Sequence, residues 1–217
     1  MTRTAPTPMS VPTIAPLARA RMRDAAATLT RSFEDDPLSL ALFPGPRRRR
    51  WSLHAFMVAS LRDALDHGEV WAASDGSRVV GGAVWLPEGS YPLSSARVAR
   101  QAPAGLVAML TPRTLPLGAR LITETQAVHP KDPHWYLAVL GVEPSEQGRG
   151  IGTRLLQPVL QRLDREDRAA YLETSKERNI GWYARQGFEL AKTLEVREGA
   201  PPIWTMWRAP HPATPST

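Results

Sequence analysis

The chain has 217 residues, of which 42% are hydrophobic, and is long enough to bury a core as one large domain or two small ones. The absence of cysteine excludes disulfides, thiolate metal sites and a cysteine nucleophile. No apolar run approaches the roughly 18 residues of a membrane span, so no membrane insertion is predicted. The formal net charge of +6 comes almost entirely from arginine, and it is compatible with nucleic acid, a membrane surface or an anionic cofactor as partner.

The two ends of the chain are predicted to be tails on a single domain. Residues 1–12 are rich in threonine, proline and serine and are predicted to be disordered. The domain is expected over residues 13–208, followed by a loose tail over 209–217. The N-terminus lacks an apolar signal segment of the usual length, which makes the cytoplasm the expected location.

The first part of the domain is predicted to be mainly helical. A short edge strand over 11–17 is expected ahead of an amphipathic helix over Ala20–Phe33, which ends before Asp35-Asp36-Pro37. A second helix is predicted over Arg48–Asp66, and Gly68 fits its end.

The basic run Arg47–Arg50 has two interpretations. As a nucleic-acid patch it lacks interleaved aromatic residues beyond Trp51 and any recognised motif around it. A solvated helix start is the favoured interpretation, and no nucleic-acid or membrane partner is predicted.

The middle of the chain is predicted to contain a hairpin and then a helical insertion. Strands over Glu69–Ala73 and Val79–Leu86 flank the turn signal Asp75-Gly76. Residues 87–133 then show a helical, proline-punctuated pattern, with helices expected over Ala96–Leu110 and Leu115–Val128. A connection of this length is expected to fold over the site rather than lie loose, and to influence substrate choice.

A glycine-rich turn between a strand and a helix is the most informative stretch of the sequence. The strand is predicted over Tyr136–Val142, the turn is Gln147-Gly148-Arg149-Gly150-Ile151-Gly152, and apolar residues then recur at helical spacing. The first N–H groups of a helix have no intrahelical partner and carry partial positive charge, and glycine lets a phosphate approach the backbone. The turn therefore predicts an anion site.

The spacing of the glycines bears on which anion is bound. A dinucleotide fingerprint needs its third glycine three positions after the second, whereas Gly148, Gly150 and Gly152 alternate. Glu173 falls about where a Rossmann ribose-binding acid would lie, which keeps that alternative open. A P-loop is excluded because Thr153 follows Gly152 without a lysine. A turn that binds nothing is the remaining alternative.

The order of these elements resembles the GNAT superfamily of N-acetyltransferases, whose acetyl-CoA motif is Arg/Gln-x-x-Gly-x-Gly/Ala. After the turn come the strand Tyr171–Thr174, then Asn179, and then Trp182-Tyr183-Ala-Arg-Gln-Gly187-Phe188. The stretch from Pro130 to Trp207 is similar to the puromycin N-acetyltransferase branch. That likeness rests on Lys131-Asp-Pro133, Trp135, Leu172-Glu-Thr-Ser175, Arg178-Asn179 and Trp204-x-Met206.

The resemblance implies an α/β fold with a mixed, mostly antiparallel sheet of six to seven strands, splayed at the acetyl-CoA site and flanked by helices. It implies a bulge at Gly141 that separates the two central strands. Tyr183 matches the family's position for the acid that protonates the leaving thiolate. The residues implied to bind acetyl-CoA are Leu140, Gly141, Val142, Gln147, Gly148, Arg149, Gly150, Ile151, Gly152, Thr153, Asn179 and Tyr183.

No motif identifies the base that removes the acceptor's proton. Glu124, in the helix ahead of the cofactor strand, is the first candidate, His129 the second and Glu173 the third. The histidines His54, His67 and His134 show no paired ligand spacing, so no metal is predicted.

Three functions are compatible with these residues. The favoured one is acetylation of a primary amine on an antibiotic- or metabolite-like small molecule, by direct transfer in a ternary complex of a monomer or homodimer. Glu34, Asp35 and Asp36 are then candidates to face a cationic substrate. The second is acetylation of a protein lysine or N-terminus. The third is a non-catalytic acyl-CoA sensor, against which the presence of Tyr183 argues.

Overall fold

The structure is a computed structural model that describes residues 11–100, 115–196 and 199–210. The strands are β1 Thr13–Pro16, β2 Glu69–Asp75, β3 Arg78–Leu86, β4 His134–Val142, β5 Ala169–Thr174, β6 Glu189–Leu194 and β7 Ile203–Arg208. The labelled helices are α1 Met22–Ser32, α2 Pro37–Leu42, α3 Pro46–His67, α4 Leu115–Val128, α5 Ile151–Arg165 and α6 Arg178–Ala184. Single 3-10 turns cover Arg19–Arg21 and Pro144–Glu146, and residues 95–100 are helical.

Most predicted elements are confirmed to within a few residues, and one helix was missed. The short helix α2 follows Asp36, whose side chain accepts hydrogen bonds from the backbone N–H groups of Leu38 at 3.0 Å and Ser39 at 3.4 Å. An acidic N-cap followed by proline at the first helical position is a typical helix start. The Asp36-Pro37 pair, predicted only to follow the end of α1, therefore also begins α2. Part of the helix predicted over Ala96–Leu110 and most of both predicted tails lie outside the described residues.

The strands form one seven-stranded sheet in the order β1-β2-β3-β4-β5-β7-β6. All neighbours pair antiparallel except β4 and β5, which are parallel. Helix α5 connects these two strands, as a parallel pair requires a crossover. The predicted α/β fold with a mixed, mostly antiparallel sheet is confirmed.

Helices cover both faces of the sheet. On one face, α5 contributes Leu155, Leu156 and Leu163 to a core that includes Phe188, which lies between α6 and β6. On the opposite face, α1 and α3 pack buried apolar side chains such as Leu29 against β2, β3 and β4. A smaller third cluster joins α2 and α4 to the start of β7. In the part of the chain that the structure describes, no helix combines the length and apolar character needed to cross a bilayer.

The parallel pairing of β4 with β5 is short. It covers only His134–Leu137 against Ala169–Leu172, although β4 continues to Val142. Beyond Leu137, the side of β4 that faces β5 therefore has no strand partner. The sheet is splayed between its two central strands, as the fold prediction required.

The bulge in β4 lies three residues earlier than predicted. The register with β3 shifts where Val84 pairs with Val139 but Trp85 pairs with Leu137, so Ala138 is the extra residue. Gly141 instead pairs regularly with Gly82. A Cβ atom at Gly141 would overlap the Ser32 hydroxyl of α1, so this glycine permits close packing of helix on strand rather than a bulge.

Candidate active site

A cleft of about 500 Å³ opens where β4 and β5 separate, between the end of α1, the glycine turn and α6. Its walls contain every residue predicted to bind acetyl-CoA except Arg149. Those residues are Leu140, Gly141, Val142, Gln147, Gly148, Gly150, Ile151, Gly152, Thr153, Asn179 and Tyr183. The side chain of Arg149 forms an ion pair with Glu146, which itself lines the cleft.

Two of the three glycines shape the turn, and the third packs. Gly148 and Gly150 have φ angles of +77° and +73°, which favour glycine, and an added Cβ at either would meet nothing within 4 Å. Gly150 is the N-cap of the 15-residue helix α5 and makes no side-chain capping bond. The side chain of Gln147 fixes the turn by donating to the carbonyl of Val142 at 3.1 Å. By contrast, a Cβ at Gly152 would lie 3.2 Å from the Trp182 ring.

The chemistry of the cleft fits the diphosphate and arm of coenzyme A. Space is open beside Gly148 and Gly150, and the first N–H groups of α5 have no intrahelical partner, which suits a phosphate. Lys176 and Arg178 add positive charge to the same walls, and Lys176 also forms a 2.8 Å ion pair with Asp35. The edge of β4 beyond Leu137 provides backbone groups for an extended amide chain.

Tyr183 lies on α6 and lines the cleft with only 7% of its surface exposed. Its ring contacts those of Trp182 and Phe188, with centroid distances of 4.8 and 5.9 Å. Burial raises the pKa of the Tyr183 phenol above its ordinary value, because the charged form is poorly solvated there. The phenol is therefore neutral and protonated at physiological pH.

The acidic residues after α1 are engaged by partners within the protein. Arg50 donates to Glu34 with two guanidinium nitrogens, and this hydrogen bonding lowers the pKa of Glu34. The Lys176 ammonium likewise lowers the pKa of Asp35. Asp36 caps α2 and accepts a 2.8 Å hydrogen bond from Ser175. Of the three, only Asp36 lines the cleft.

An ion pair connects α1 to the end of β4 beside the glycine turn. The guanidinium of Arg31 donates to both carboxylate oxygens of Glu143, at 2.8 to 3.0 Å. Glu143 is buried and follows the last residue of β4. Ser32 and Phe33, the two residues after Arg31, line the cleft, and no sequence signal indicated the ion pair beside them.

The three candidate bases occupy different places. None of their side chains lines the cleft. Glu124 lies on α4, partly exposed, 3.6 Å from the Arg120 guanidinium one helical turn away. Glu173 lies on β5 directly after Leu172, the last residue paired with β4. It accepts hydrogen bonds of 3.1 Å from the hydroxyls of Tyr136 and Tyr171. Burial raises the pKa of Glu173, and the two phenols oppose that rise.

His129 lies in a cluster of rings next to Glu173. Its centroid is 4.5 Å from that of Tyr91 and 4.8 Å from those of His134 and Tyr171. His134 Nδ1 lies 2.7 Å from the Asp132 carbonyl oxygen, which can only accept, so Nδ1 carries the proton of the His134 ring. His134 Nε2 is then an acceptor, and His129 Nε2 donates to it at 3.0 Å. Burial, with a smaller contribution from His134, lowers the pKa of His129 to about 4, so the ring is neutral at neutral pH.

Tyr136 and Tyr171, which bond the candidate base Glu173, were not singled out by the sequence analysis. The available signal was strand alternation, since Tyr171 and Glu173 are two residues apart and share a face of β5. Among the residues that the structure describes, no cluster of histidine, aspartate and glutamate side chains is arranged to hold a metal ion.

Comparisons with known proteins agree with this geometry. The model of the acetyltransferase (GNAT) family matches residues 29–188. An uncharacterised N-acetyltransferase of Schizosaccharomyces pombe is 36% identical over 73 residues, which are 33% of this chain and 30% of that protein. The match therefore spans less than a third of the yeast protein's length.

Solved structures share the fold over nearly the whole chain. A structure described as histone acetyltransferase HPA2 and related acetyltransferase, from Corynebacterium glutamicum, is 25% identical, with a TM-score of 0.68 over 96% of this chain and 100% of that one. Arylalkylamine N-acetyltransferase 2 of Aedes aegypti is 13% identical, with a TM-score of 0.63 over 91% and 98%. A polyamine N-acetyltransferase of Drosophila melanogaster is 17% identical, with a TM-score of 0.59 over 91% and 99%.

The family model covers well over half of the chain, and it includes the splayed strands, the glycine turn and Tyr183. Members of this family transfer an acetyl group from acetyl-CoA. The chain belongs to the acetyltransferase (GNAT) family.

Proposed function

We propose that the protein acetylates a primary amine of a small molecule, using acetyl-CoA by direct transfer in a ternary complex. The observation that carries this proposal is the position of Glu173. Glu173 directly follows Leu172, where the pairing of β5 with β4 ends, and the cofactor cleft opens at the same gap in the sheet, although the Glu173 side chain is not among those that line it. Four points stay predictions: the antibiotic- or metabolite-like nature of the acceptor, the likeness to the puromycin branch, the cytoplasmic location, and the monomeric or homodimeric state.

Binding is assigned to the turn and the edge of β4. The N–H groups at the start of α5 would hold the diphosphate, with Lys176 and Arg178 nearby. Acetyl-CoA supplies an activated thioester when bound. The amides near Leu140 and Val142 would donate to the thioester oxygen and stabilise the negative charge that develops there.

Glu173 is the base that the geometry supports best. An alkylamine has a pKa near 10 and arrives protonated, so a base must take its proton before nitrogen can attack. Glu173 is a largely buried carboxylate with a raised pKa, which makes it a better proton acceptor than an exposed carboxylate. Glu124 remains a predicted base; its carboxylate is partly exposed and lies 3.6 Å from the Arg120 guanidinium, which stabilises its charged form.

Tyr183 is proposed to protonate the leaving sulfur. A thiol has an ordinary pKa of about 8.5 and a tyrosine about 10, so protonation of a free thiolate is uphill by roughly 2 kcal/mol. Burial raises the pKa of Tyr183 and increases this cost. We therefore expect a rate contribution near the low end of the roughly 100- to 10,000-fold range of acid catalysis.

A protein acceptor is the second candidate. The 25% identity with the Corynebacterium protein, whose description names a histone acetyltransferase, favours it. The small-molecule proposal is supported by α4, which packs through Leu117 against the start of β7 and covers the face on which Glu173 lies. An extended peptide would need an open groove there.

A screen for release of free coenzyme A tests the acceptor class. The panel would contain alkylamines, arylalkylamines, polyamines, amino sugars, arylamines and lysine-containing peptides. Turnover confined to small amines supports the proposal. Turnover confined to peptides contradicts it and favours the second candidate.

The base is tested with the best acceptor by comparing Glu173→Gln with Glu124→Gln across pH. Glutamine keeps shape and hydrogen bonding but cannot accept the proton. Loss of the base should lower kcat/KM by about 100-fold near pH 7, and the deficit should shrink towards pH 9–10, where free amine is available. The proposal predicts this pattern for Glu173→Gln and a deficit of less than about threefold for Glu124→Gln. The reverse result would restore Glu124 as the base.

A further inference from the structure

We propose that Tyr136 and Tyr171 are positioning residues that together hold Glu173 as an ionised base with no neutralising cation, so that the site receives an alkylammonium acceptor. The catalytic meaning of this inference rests on the proposed function. The arrangement of the three side chains does not, and it can be tested by itself.

The two tyrosines are brought together by the parallel register of the central strands. Tyr136 of β4 pairs with Tyr171 of β5, and their ring centroids lie 5.8 Å apart. Glu173 is two residues beyond Tyr171 on the same face. The Tyr136 hydroxyl donates to one carboxylate oxygen and the Tyr171 hydroxyl to the other, each at 3.1 Å. Both oxygens of the carboxylate are thus satisfied by phenols.

The surroundings of Glu173 provide no positive charge among the described residues. Burial and the two phenols account for the perturbation of its pKa, and no lysine or arginine contributes. The residue opposite Glu173 on β7 is Thr205. The remaining titratable groups of the cluster are Tyr91, whose hydroxyl bonds Gln126, and the neutral imidazole of His129 with its partner His134.

This choice of partners has a chemical consequence. A guanidinium or ammonium beside Glu173 would stabilise the carboxylate strongly, but it would also repel a cationic acceptor. Two phenols stabilise the anion and leave its negative charge uncompensated. They stay neutral themselves, because burial and the nearby Glu173 charge raise the pKa of both Tyr136 and Tyr171.

The proton transfer balances within this arrangement. An N–H bond of the acceptor ammonium breaks, an O–H bond forms on Glu173, and the nitrogen lone pair becomes free to attack the thioester carbon. Glu173 then returns the proton to solvent before the next turnover. The two tyrosines exchange no proton and only set how readily Glu173 accepts one.

The inference is tested by following the carboxyl carbon of Glu173 with NMR in the full-length protein labelled with ¹³C-glutamate. The signal is identified by its absence from Glu173→Gln. Removing either phenol hydroxyl, in Tyr136→Phe or Tyr171→Phe, should raise the pKa of Glu173 by about one pH unit, because one charge-stabilising hydrogen bond is lost. Tyr91→Phe is the matched control, since its ring packs on Tyr136 and its hydroxyl bonds Gln126. It should leave the titration unchanged.

The wild-type protein supplies a readout that needs no folded variant. The Cζ signals of Tyr136 and Tyr171 should both shift at the pH where Glu173 titrates. Three results would each overturn the inference. They are an unchanged Glu173 titration in both Tyr136→Phe and Tyr171→Phe, an equal shift in Tyr91→Phe, and Tyr136 and Tyr171 signals that do not change when Glu173 titrates. The base assignment fails separately, if Glu173→Gln keeps wild-type kcat/KM across pH while the titrations behave as expected.

Discussion

His129→Gln should lose about 1–2 kcal/mol less stability than the wild-type protein when the pH falls from 7.5 to 4.5. The wild-type imidazole is held neutral among Tyr91, Tyr171 and His134, so protonation is more costly in the folded state than in the unfolded state. Glutamine does not titrate and keeps a hydrogen-bond donor for His134.

The sign and size follow from the two pKa values. The folded-state pKa of His129 is about 4 and the unfolded value is 6.5. The stabilisation is therefore fully present above pH 6.5 and is lost as the pH falls towards 4, because only the unfolded chain binds the proton in that interval. At about 1.4 kcal/mol per pH unit the complete loss would be roughly 3.5 kcal/mol for a fully buried ring, of which about 2.5 kcal/mol would have occurred at pH 4.5. Because the imidazole is only half-buried, solvent screening reduces the expected loss at pH 4.5 to about 1–2 kcal/mol.

Urea unfolding at the two pH values measures this difference. On going from pH 7.5 to pH 4.5, the free energy of unfolding should fall by about 1–2 kcal/mol less in His129→Gln than in wild type. His54→Gln, which changes an exposed histidine, serves as the control and should show the wild-type dependence. The reasoning is refuted if His129→Gln loses as much stability on acidification as the wild-type protein.

Three further variants test the cleft. Gly150→Asp should abolish acetyl-CoA binding as measured by calorimetry, because its charged side chain would occupy the open space at the start of α5. Normal binding by the folded variant would refute the placement of the phosphate at that position. Tyr183→Phe should bind acetyl-CoA normally yet lower kcat about tenfold or more, and an unchanged kcat would leave it a packing role. Gly141→Ala should cost about 1–3 kcal/mol in thermal unfolding, because its methyl group would overlap Ser32 and press on Leu29; Gly82→Ala, whose nearest contact is 3.6 Å, should cost less.

The sequence was most informative where local periodicity decides the structure. The apolar spacing of α5, the two strands around Asp75-Gly76, and the glycines at 148 and 150 depend on neighbours within a few residues. Their positions were therefore predicted closely, and the cleft residues followed from the family resemblance. The same local reasoning treated Asp36-Pro37 only as the end of α1, because one dipeptide can both end a helix and begin another.

The features that were missed depend on the register between distant segments. Tyr136 and Glu173 are 37 residues apart in the chain and meet only because β4 and β5 pair in parallel from His134 onwards. The bulge at Ala138 and the packing of Ser32 on Gly141 likewise depend on which residues face each other across the sheet. The choice of Glu124 as first candidate base rested on its place along the chain, and it stays a prediction.

The short pairing of β4 with β5 also affects how long the folded protein persists. Four residue pairs join a group of four strands to a group of three, so the sheet is interrupted near its middle. A ligand that bonds to both open edges binds the folded protein but not the unfolded chain, and it therefore stabilises the fold. At a concentration 100 times its dissociation constant, such a ligand stabilises the fold by about 2.7 kcal/mol. Resistance to proteolysis in the cell would then rise and fall with the supply of the acetyl donor.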